Sequence, residues 1–325
     1  MTEELQPVAV EHDTPILYSV IVPVYRNEES LHLVVERLEW LDAQFGGQTE
    51  AVFVVDGSPD NSILVLKRLL AATSLRSQLI SHSRNFGSFA AIRTGFLQAR
   101  GEYVAAMAAD LQEPVELVQT FFQKLSSGDY DVAIGTRLAR RDPLVSRVLS
   151  RTYWSLYRKL VQPQMPAGGV DIFACTRQVA QQFANLGESN SSLVGLLFWL
   201  GYRRVEVPYS RAEREHGKSA WSMNKKIGYL LDSIFSFTSL PISIILLVGI
   251  LGSAVSLLIA FIVFFSALWG QIPVPGYAPQ MIVLLFATGS ILFALGIVGT
   301  YVWRTFENTK NRPGSIIMQH ETFDK

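Results

Sequence analysis

The stretch Tyr103-Val104-Ala105-Ala106-Met107-Ala108-Ala109-Asp110-Leu111-Gln112-Glu113-Pro114 joins a short apolar run to a loop with two acids and an amide. The apolar run is typical of a buried strand, and α/β sheets place ligands and metals at the carboxyl ends of such strands. Asp110 and Gln112 supply oxygen atoms of the kind that Mg²⁺ or Mn²⁺ prefers, and such a cation can hold a diphosphate. The stretch therefore predicts an α/β sheet with a metal-dependent site, although Ala108 stands where a second metal-binding acid would be expected.

Strand and helix patterns alternate on both sides of this stretch. Runs rich in Val, Ile and other apolar residues predict strands at 16–23, 51–55, 78–81, 103–107, 132–137 and 204–208. Helical spacing of apolar residues predicts helices at 28–41, 62–72, 89–99, 144–160 and 177–185. Because strands and helices alternate over the first ~120 residues, the pattern favours a mainly parallel sheet covered on both faces.

Charged residues make up only 17% of the 325-residue chain, against roughly 25% in soluble domains. The deficit is local, because no Asp, Glu, Lys or Arg lies between Ser233 and Trp303. One membrane-spanning helix needs about 20 apolar residues, so this stretch has room for two spans, near 242–267 and 280–303, and a turn. Two buried helices of a soluble core are the weaker interpretation, since such helices keep charges on their outer faces.

Basic residues flank the charge-free stretch. Lys225 and Lys226 precede it, Arg304, Lys310 and Arg312 follow it, and the connecting turn has neither Lys nor Arg. By the positive-inside rule both ends face the cytoplasm. We therefore predict a multi-pass protein of the inner (plasma) membrane, with the α/β domain and both termini cytoplasmic.

Composition disfavours several other classes of protein. The formal net charge is zero, so the charge balance does not favour a nucleic acid partner. Cys175 is the single cysteine, which excludes an internal disulfide framework and a cysteine-based zinc site. The first 13 residues are polar and acidic and lack the apolar core of a secretory signal.

Five stretches together resemble one enzyme family. They are Ile21–Glu29, Asp56–Ser62, Ser83–Gly87, Ala109–Pro114 and Arg211–Ser219. From about Tyr18 to Pro313 the chain resembles the polyisoprenyl-phosphate glycosyltransferases, inverting family 2 enzymes with a GT-A fold, which is a Rossmann-like, mainly parallel sheet. Dolichol-phosphate mannose synthase and the bacterial bactoprenol glucosyltransferases are members of that family.

The resemblance and the composition together imply five segments. These are an N-terminal tail at 1–17, a GT-A glycosyltransferase domain at 18–220, an interfacial amphipathic helix at 221–240, a transmembrane hairpin at 241–304 and a cytoplasmic tail at 305–325. Aromatic residues and lysines mix from Trp221 to Phe237, as they do in interfacial helices. Pro241 can separate this helix from the first span.

For the donor, the resemblance implies a nucleotide-diphospho-sugar bound across the carboxyl ends of the first strands. Pro23, Tyr25 and Glu28 would line the base and ribose, and Asp56 would contact the base. A turn-forming role for Asp56 stays open, because Asp-Gly-Ser commonly supplies one. Val55 replaces an acid that many members carry at this place.

The resemblance also implies that Asp110 and Gln112 face the metal ion, with Ala108 in place of the first acid of the Asp-x-Asp pattern of the family. Arg214 and Lys218 lie in a polar loop that could close over the diphosphate and help to neutralise the leaving group. A basic juxtamembrane segment attracted to anionic lipids is the alternative for this loop.

The predicted acceptor side carries positive charge. Arg147, Arg151, Ser155 and Arg158 fall on one face of the predicted helix 144–160. The resemblance implies that Arg137, Arg151 and Ser155 bind the phosphate of a lipid, and arginine suits phosphate because its fork forms two parallel hydrogen bonds. The alternative is a solvated basic helix face.

Asp171 corresponds to the acid proposed as the base in relatives. A phosphate monoester has its second pKa near 6, so the acceptor oxygen is largely anionic at neutral pH, and a base needs a proton to remove. We therefore expect Asp171 to position the acceptor or to stabilise positive charge at the sugar carbon. Glu113 and Glu116 are expected to be solvated at a helix start after Pro114, and His82 to be a structural residue at a strand end.

The predicted function is that of an inverting polyprenyl-phosphate hexosyltransferase. It would move a sugar, with UDP-glucose as the first choice of donor, to undecaprenyl phosphate at the cytoplasmic membrane face, with Asp110 and Asp171 as catalytic residues and Mg²⁺ or Mn²⁺ as cofactor. GDP-mannose or a modified sugar donor is the enzymatic alternative. Because Val55 and Ala108 depart from the family pattern, a non-catalytic membrane partner that binds a nucleotide sugar or a lipid is a second alternative. The sequence leaves open whether the chain forms a homo-oligomer.

Overall fold

The computed structural model describes residues 14–137, 154–155, 157–166, 169–186, 192–211, 223–269, 277–310 and 312–324. The chain forms two compact units. The first contains Met1–Gly187, Leu193–Ser222 and Arg312–Lys325, and the second contains Glu188–Ser192 and Met223–Asn311. The C-terminal residues therefore belong to the first unit, although the whole helical part of the second unit precedes them in sequence.

An eight-stranded sheet forms the centre of the first unit, within the described residues, in the order β7-β5-β6-β4-β1-β2-β3-β8. The strands are β1 Tyr18–Val24, β2 Thr49–Val55, β3 Arg76–His82, β4 Tyr103–Ala106, β5 Val132–Arg137, β6 Phe173–Thr176, β7 Arg204–Tyr209 and β8 Ile317–Phe323. β1 pairs in parallel with β2 and β4, β2 with β3, and β5 with β7. β6 and β8 run antiparallel to their neighbours.

Helices cover the sheet. In the described part of the first unit they are α1 Leu31–Gln44, α2 Ser62–Ala72, α3 Ser88–Gln98, α4 Val115–Ser126, α5 Arg177–Asn185 and α6 Leu193–Trp199. α1 buries Leu31, Val34, Val35, Leu38 and Leu41, the residues whose spacing predicts it. The prediction of an α/β fold with a mainly parallel sheet is confirmed.

Two strands and one helix are missing from the sequence prediction. β6 lies between β4 and β5 and pairs antiparallel with both. β8 pairs antiparallel with β3, so residues 317–323 form the edge of the sheet, where the sequence predicts only a tail. The helix α6 is also unpredicted, and of the predicted helix 144–160 only 154–155 and 157–160 are described, all of them helical.

The second unit contains three long helices in its described part: α7 Met223–Phe237, α8 Leu240–Leu268 and α9 Tyr277–Thr309. Pro241 lies in the first turn of α8, where proline is tolerated, and α7 ends before it, as predicted. Arg304 of α9 is tied to α7, because its Nη2 donates to Asp232 Oδ1 (2.6 Å) and its Nη1 donates to Ser236 Oγ (3.1 Å).

The predicted spans 242–267 and 280–303 lie inside α8 and α9. By length and apolarity, the described residues contain one helical segment able to cross a membrane, Ala287–Thr309. A second is added only if Leu230–Phe237 and Leu240–Gly252, which meet at 74°, count as one bent span. The structure therefore bears out long apolar helices here, but not clearly a two-span hairpin.

Candidate active site

The loops after β1 and β2 are hydrogen-bonded to each other. The Arg26 amide donates to Ser58 Oγ (2.8 Å), and the Asn61 amide donates to Glu28 Oε2 (2.8 Å). Tyr25, at the start of the first loop, stays 40% exposed. The predicted donor residues Tyr25 and Glu28 therefore lie on one loop that the loop after β2 holds in place, directly beyond Pro23 of β1.

Asp56 directly follows β2 and is buried, with 2% of its surface exposed. Its Oδ1 accepts from the Phe86 amide (2.9 Å), and its Oδ2 accepts from the Gly87 amide (2.7 Å). His82 Nδ1 lies 2.8 Å from Oδ1. The carboxylate therefore holds the loop after β3. Since a carboxylate has about four acceptor positions, about one remains for a further donor.

Asp110, Leu111 and Gln112 form a tight loop beyond β4. Leu111 has a φ of 55°, in the left-handed region, and the Gln112 amide donates to Asp110 Oδ1 (3.4 Å). The loop is anchored to the start of α1, because Ser30 Oγ donates to the Ala109 carbonyl (2.8 Å). The two predicted metal ligands are therefore held on a short segment with a fixed attachment.

Glu113 is buried, so the prediction of a solvated side chain is wrong. Its Oε1 lies 3.1 Å from Arg211 Nε. Burial raises the pKa of the Glu113 carboxyl to about 7; Arg211 pulls it down, while the charges of Asp110 and Asp171 raise it. The backbone explains the error: Pro114 is an extended N-cap (φ −68°, ψ 140°), so α4 begins only at Val115 and Glu113 belongs to the loop. Glu116, inside the first turn of α4, is exposed as predicted.

Arg137, Asp171 and Tyr209 form a linked group. Arg137 Nε donates to Asp171 Oδ2, and the Tyr209 hydroxyl donates to the same oxygen (3.3 Å). Burial lowers the pKa of Arg137, but the charge of Asp171 and the contact with Tyr209 outweigh it and raise the pKa overall. Burial, Asp171 and Glu113 raise the pKa of Tyr209. The charged cluster, as we name it, therefore consists of Asp110, Glu113, Arg137, Asp171, Tyr209 and Arg211.

The sequence matches the profile of Glycosyl transferase family 2 over residues 19–185, about half of the chain. The chain belongs to this family. The predicted resemblance is confirmed, and the first unit is the GT-A α/β domain of a glycosyltransferase.

Two relatives are similar to this glycosyltransferase over nearly the whole length of both chains. The protein CsbB of Bacillus subtilis (strain 168), provisionally named a glycosyltransferase, is 34% identical over 303 residues, covering 93% of this chain and 92% of its own. The bactoprenol glucosyl transferase of Shigella phage SfII is 29% identical, covering 92% and 96%. Among solved structures, glucosyl-3-phosphoglycerate synthase from Mycobacterium tuberculosis with Mn²⁺, UDP and phosphoglyceric acid is 16% identical, with a TM-score of 0.46, covering 67% of this chain and 76% of its own.

The side chains near the β4 loop of the glycosyltransferase can be compared with those that usually bind Mg²⁺ or Mn²⁺. In the described part of the chain, no group of three or more His, Cys, Asp or Glu side chains is arranged to hold a metal ion. The side chains present at the β4 loop are one carboxylate and one amide, Asp110 and Gln112. This donor set fits Mg²⁺ or Mn²⁺, since such ions often take one or two protein oxygens and complete their shell with water and substrate phosphates.

The other predicted site residues fall in different places. Ser155 is exposed on a helical segment of the first unit. Arg151, Arg214 and Lys218 lie outside the described residues. The sequence prediction did not include Tyr209. The feature that could have indicated it is an aromatic residue with a hydroxyl group directly after a predicted strand. The prediction for Glu113 was wrong, although its position directly after Gln112, a predicted metal ligand, could have indicated a place in the site.

Proposed function

We propose that this glycosyltransferase moves a sugar from a nucleotide-diphospho-sugar to a polyprenyl phosphate, with inversion at the sugar carbon. UDP-glucose is the first choice of donor and undecaprenyl phosphate of acceptor. The observation that carries the proposal is the charged cluster, in which Arg211 Nε lies 3.1 Å from Glu113 Oε1 and Arg137 donates to Asp171. The charges of Asp110, Arg137 and Asp171 all act on the pKa of Glu113. A metal-type loop and a half-buried arginine, Arg137, within one cluster suit two phosphate groups, one on each substrate.

The donor is held by the first three loops. Tyr25, Glu28 and Pro23 line the base and ribose. Asp56 contacts the base through the roughly one acceptor position that its existing hydrogen bonds leave open. Arg214 and Lys218, which follow β7 in the sequence, contact the diphosphate. Asp110 and Gln112 would hold Mg²⁺ or Mn²⁺, which would supply positive charge to stabilise the leaving diphosphate.

The acceptor phosphate is bound by Arg137, Arg151 and Ser155. An anionic phosphate oxygen attacks the sugar carbon as the bond from that carbon to the diphosphate oxygen breaks, and the nucleoside diphosphate leaves with the bonding electrons. Asp171 supports this step as a positioning residue. It accepts from Arg137 and Tyr209, so its carboxylate fixes the guanidinium that meets the phosphate, and no proton transfer is required.

The lipid acceptor is supported by the second unit. Large apolar side chains such as Leu246, Phe261 and Leu292 are more than half exposed on α8 and α9, an arrangement that suits lipid better than water. With the flanking Lys and Arg residues, it supports a membrane anchor whose GT-A domain and termini face the cytoplasm. The relatives named bactoprenol glucosyl transferase support the same acceptor class.

A panel of radiolabelled nucleotide sugars tests the proposal. Purified full-length protein with undecaprenyl phosphate and Mn²⁺ should transfer label from one donor into the organic phase, and mild acid should release it as free sugar. Transfer from GDP-mannose but not from UDP-glucose would show that the proposed donor is wrong and that the proposed type of reaction is right. Binding of a nucleotide sugar with no labelled lipid from any donor would contradict the proposal and favour a non-catalytic binding protein.

A further inference from the structure

A buried chain of hydrogen bonds connects Asp56 to the C-terminal segment. His82 Nδ1 lies 2.8 Å from Asp56 Oδ1, and His82 Nε2 lies 2.9 Å from Thr94 Oγ1. Thr94 Oγ1 lies 2.8 Å from Ser315 Oγ. Asp56, His82 and Thr94 are each no more than 2% exposed, so solvent cannot replace these bonds easily.

We propose that Ser315 and Thr94 position the donor-binding loop through His82. In this arrangement the segment after the last long helix sets the orientation of the His82 ring, and the ring sets the Asp56 carboxylate. Asp56 in turn holds the amides of Phe86 and Gly87. The proposal rests on the proposed donor site and assigns His82, Thr94 and Ser315 as positioning residues for that site.

The direction of the hydrogen bonds supports the relay. Asp56 accepts from two backbone amides, so His82 Nδ1 must donate to it. In the tautomer that carries its hydrogen on Nδ1, Nε2 has only a lone pair, and the Thr94 hydroxyl donates to it. That leaves the Thr94 oxygen as the acceptor for the Ser315 hydroxyl. Each group in the series Ser315, Thr94, His82, Asp56 therefore fixes the hydrogen position of the next.

The C-terminal segment has firm attachments on both sides of His82. The Ser83 amide donates to the Ile316 carbonyl (3.0 Å), and His82 itself is paired with Ile317 at a register shift between β3 and β8. Farther along β8, His320 Nε2 lies 2.8 Å from Gln78 Oε1. Arg100 donates to both oxygens of Asp324 (2.8 and 2.9 Å). Ser315 is thus held where it meets Thr94 rather than meeting it as a loose tail.

Removing one hydroxyl tests the relay with little change in shape. Thr94→Val deletes the donor to His82 Nε2 and should raise the KM for the nucleotide sugar about five- to tenfold, the range expected for one buried hydrogen bond. kcat and the KM for the lipid should stay within about twofold, because the acceptor side is untouched. Thr94→Ser should recover most of the loss, and Ser315→Ala should give a smaller rise of about two- to threefold.

Ser77→Ala is the matched control. Ser77 is a buried serine of β3, the strand that ends in His82, and its hydroxyl finds no partner among the described residues. Its removal should leave the donor KM unchanged. An equal rise in donor KM for Ser77→Ala and Thr94→Val would overturn the relay, since a general loosening of the packing around β3 and α3 would then explain both.

Hydrogen exchange separates this proposal from the proposed function. In the full-length protein, Thr94→Val and Ser315→Ala should speed amide exchange at Phe86 and Gly87 by about fivefold or more, whatever the enzyme transfers. Unchanged exchange at these amides together with an unchanged donor KM would overturn the relay. If the wild-type protein transfers no sugar and the two variants still exchange faster than it at Phe86 and Gly87, the proposed function is overturned and the relay stands.

Discussion

Asp171 receives hydrogen bonds from Arg137 and from Tyr209, and this shared contact bears on the two roles proposed for its carboxylate. A base would take a proton from the acceptor, whereas a positioning group would hold the guanidinium against the phosphate. The proposed acceptor is a phosphate monoester, whose second pKa lies near 6, so at higher pH it would have little proton to remove. The observed contacts favour the positioning role.

Replacing Asp171 with Asn should lower kcat/KM for the lipid acceptor about 100-fold, by the same factor at pH 6 and at pH 8, because misplacement of Arg137 does not depend on the protonation of the acceptor. The measurement is the initial rate of labelled lipid formation at both pH values. Asp131→Asn is the control, because Asp131 also pairs with an arginine, Arg203, but lies outside the charged cluster. A deficit at pH 6 that disappears at pH 8 would establish Asp171 as a base instead.

Single residues of the site differ in how far the sequence could predict them. Asp110 stands in a recognisable motif, and the resemblance to the family also marks Arg137 and Asp171 in advance. Glu113 was misjudged because a carboxylate before a helix is usually solvated, and only the fold shows that Arg211 reaches it. Tyr209 was missed because its contact with Asp171 joins residues far apart in sequence.

At the scale of elements, the loops after β2 and β3 pack too closely for a side chain between them. Gly57 has a φ of +57°, and a Cβ on it would lie 2.3 Å from the Arg84 carbonyl carbon and 2.4 Å from the Asn85 nitrogen. Beside this contact, Asn85 Nδ2 donates to the Asp56 carbonyl (3.2 Å). The close approach therefore supports the loop that Asp56 holds.

Gly57→Ala should destabilise the protein by roughly 3 kcal/mol, adding the cost of a left-handed alanine to that of overpacking. Gly128→Ala is the matched control: its φ is +78°, but nothing lies within 4 Å of its Cβ position, so only the backbone cost of about 1 kcal/mol remains. Chemical denaturation of the full-length protein measures both. Equal destabilisation of the two variants would show that the loops after β2 and β3 can move apart without lowering the free energy of unfolding.

The predictability of the elements follows their length and burial. β1 and β2 have seven residues each, all buried except Pro23, and their apolar runs locate them in the sequence. β6 has the sequence Phe-Ala-Cys-Thr and leads directly into α5, so no separate apolar run marks it. β8 is largely exposed, with the polar sequence Ile-Met-Gln-His-Glu-Thr-Phe, and its strand structure comes from pairing with β3 rather than from an apolar pattern.

At the scale of the whole molecule, the two-span arrangement predicts that the segment between α8 and α9 lies on the far side of the membrane. In intact cells a membrane-impermeant maleimide should label Gln271→Cys, whereas Ser127→Cys, on the GT-A domain, should react only after permeabilisation. Background from the native thiol should be small, because Cys175 is buried and burial raises its pKa. Labelling of both positions only after permeabilisation would contradict two spans.

The central claim is that the Asp110 loop serves sugar transfer to a lipid phosphate. It is tested most directly by the rate of lipid-linked sugar formation at saturating donor and acceptor, measured across a Mn²⁺ titration. We expect Asp110→Asn to lower this rate at least about 100-fold at every Mn²⁺ concentration. Glu116→Gln, which alters an exposed acid in the first turn of α4, should follow the wild type. A wild-type rate that persists in EDTA, or an Asp110→Asn variant that matches the wild type, would contradict the account.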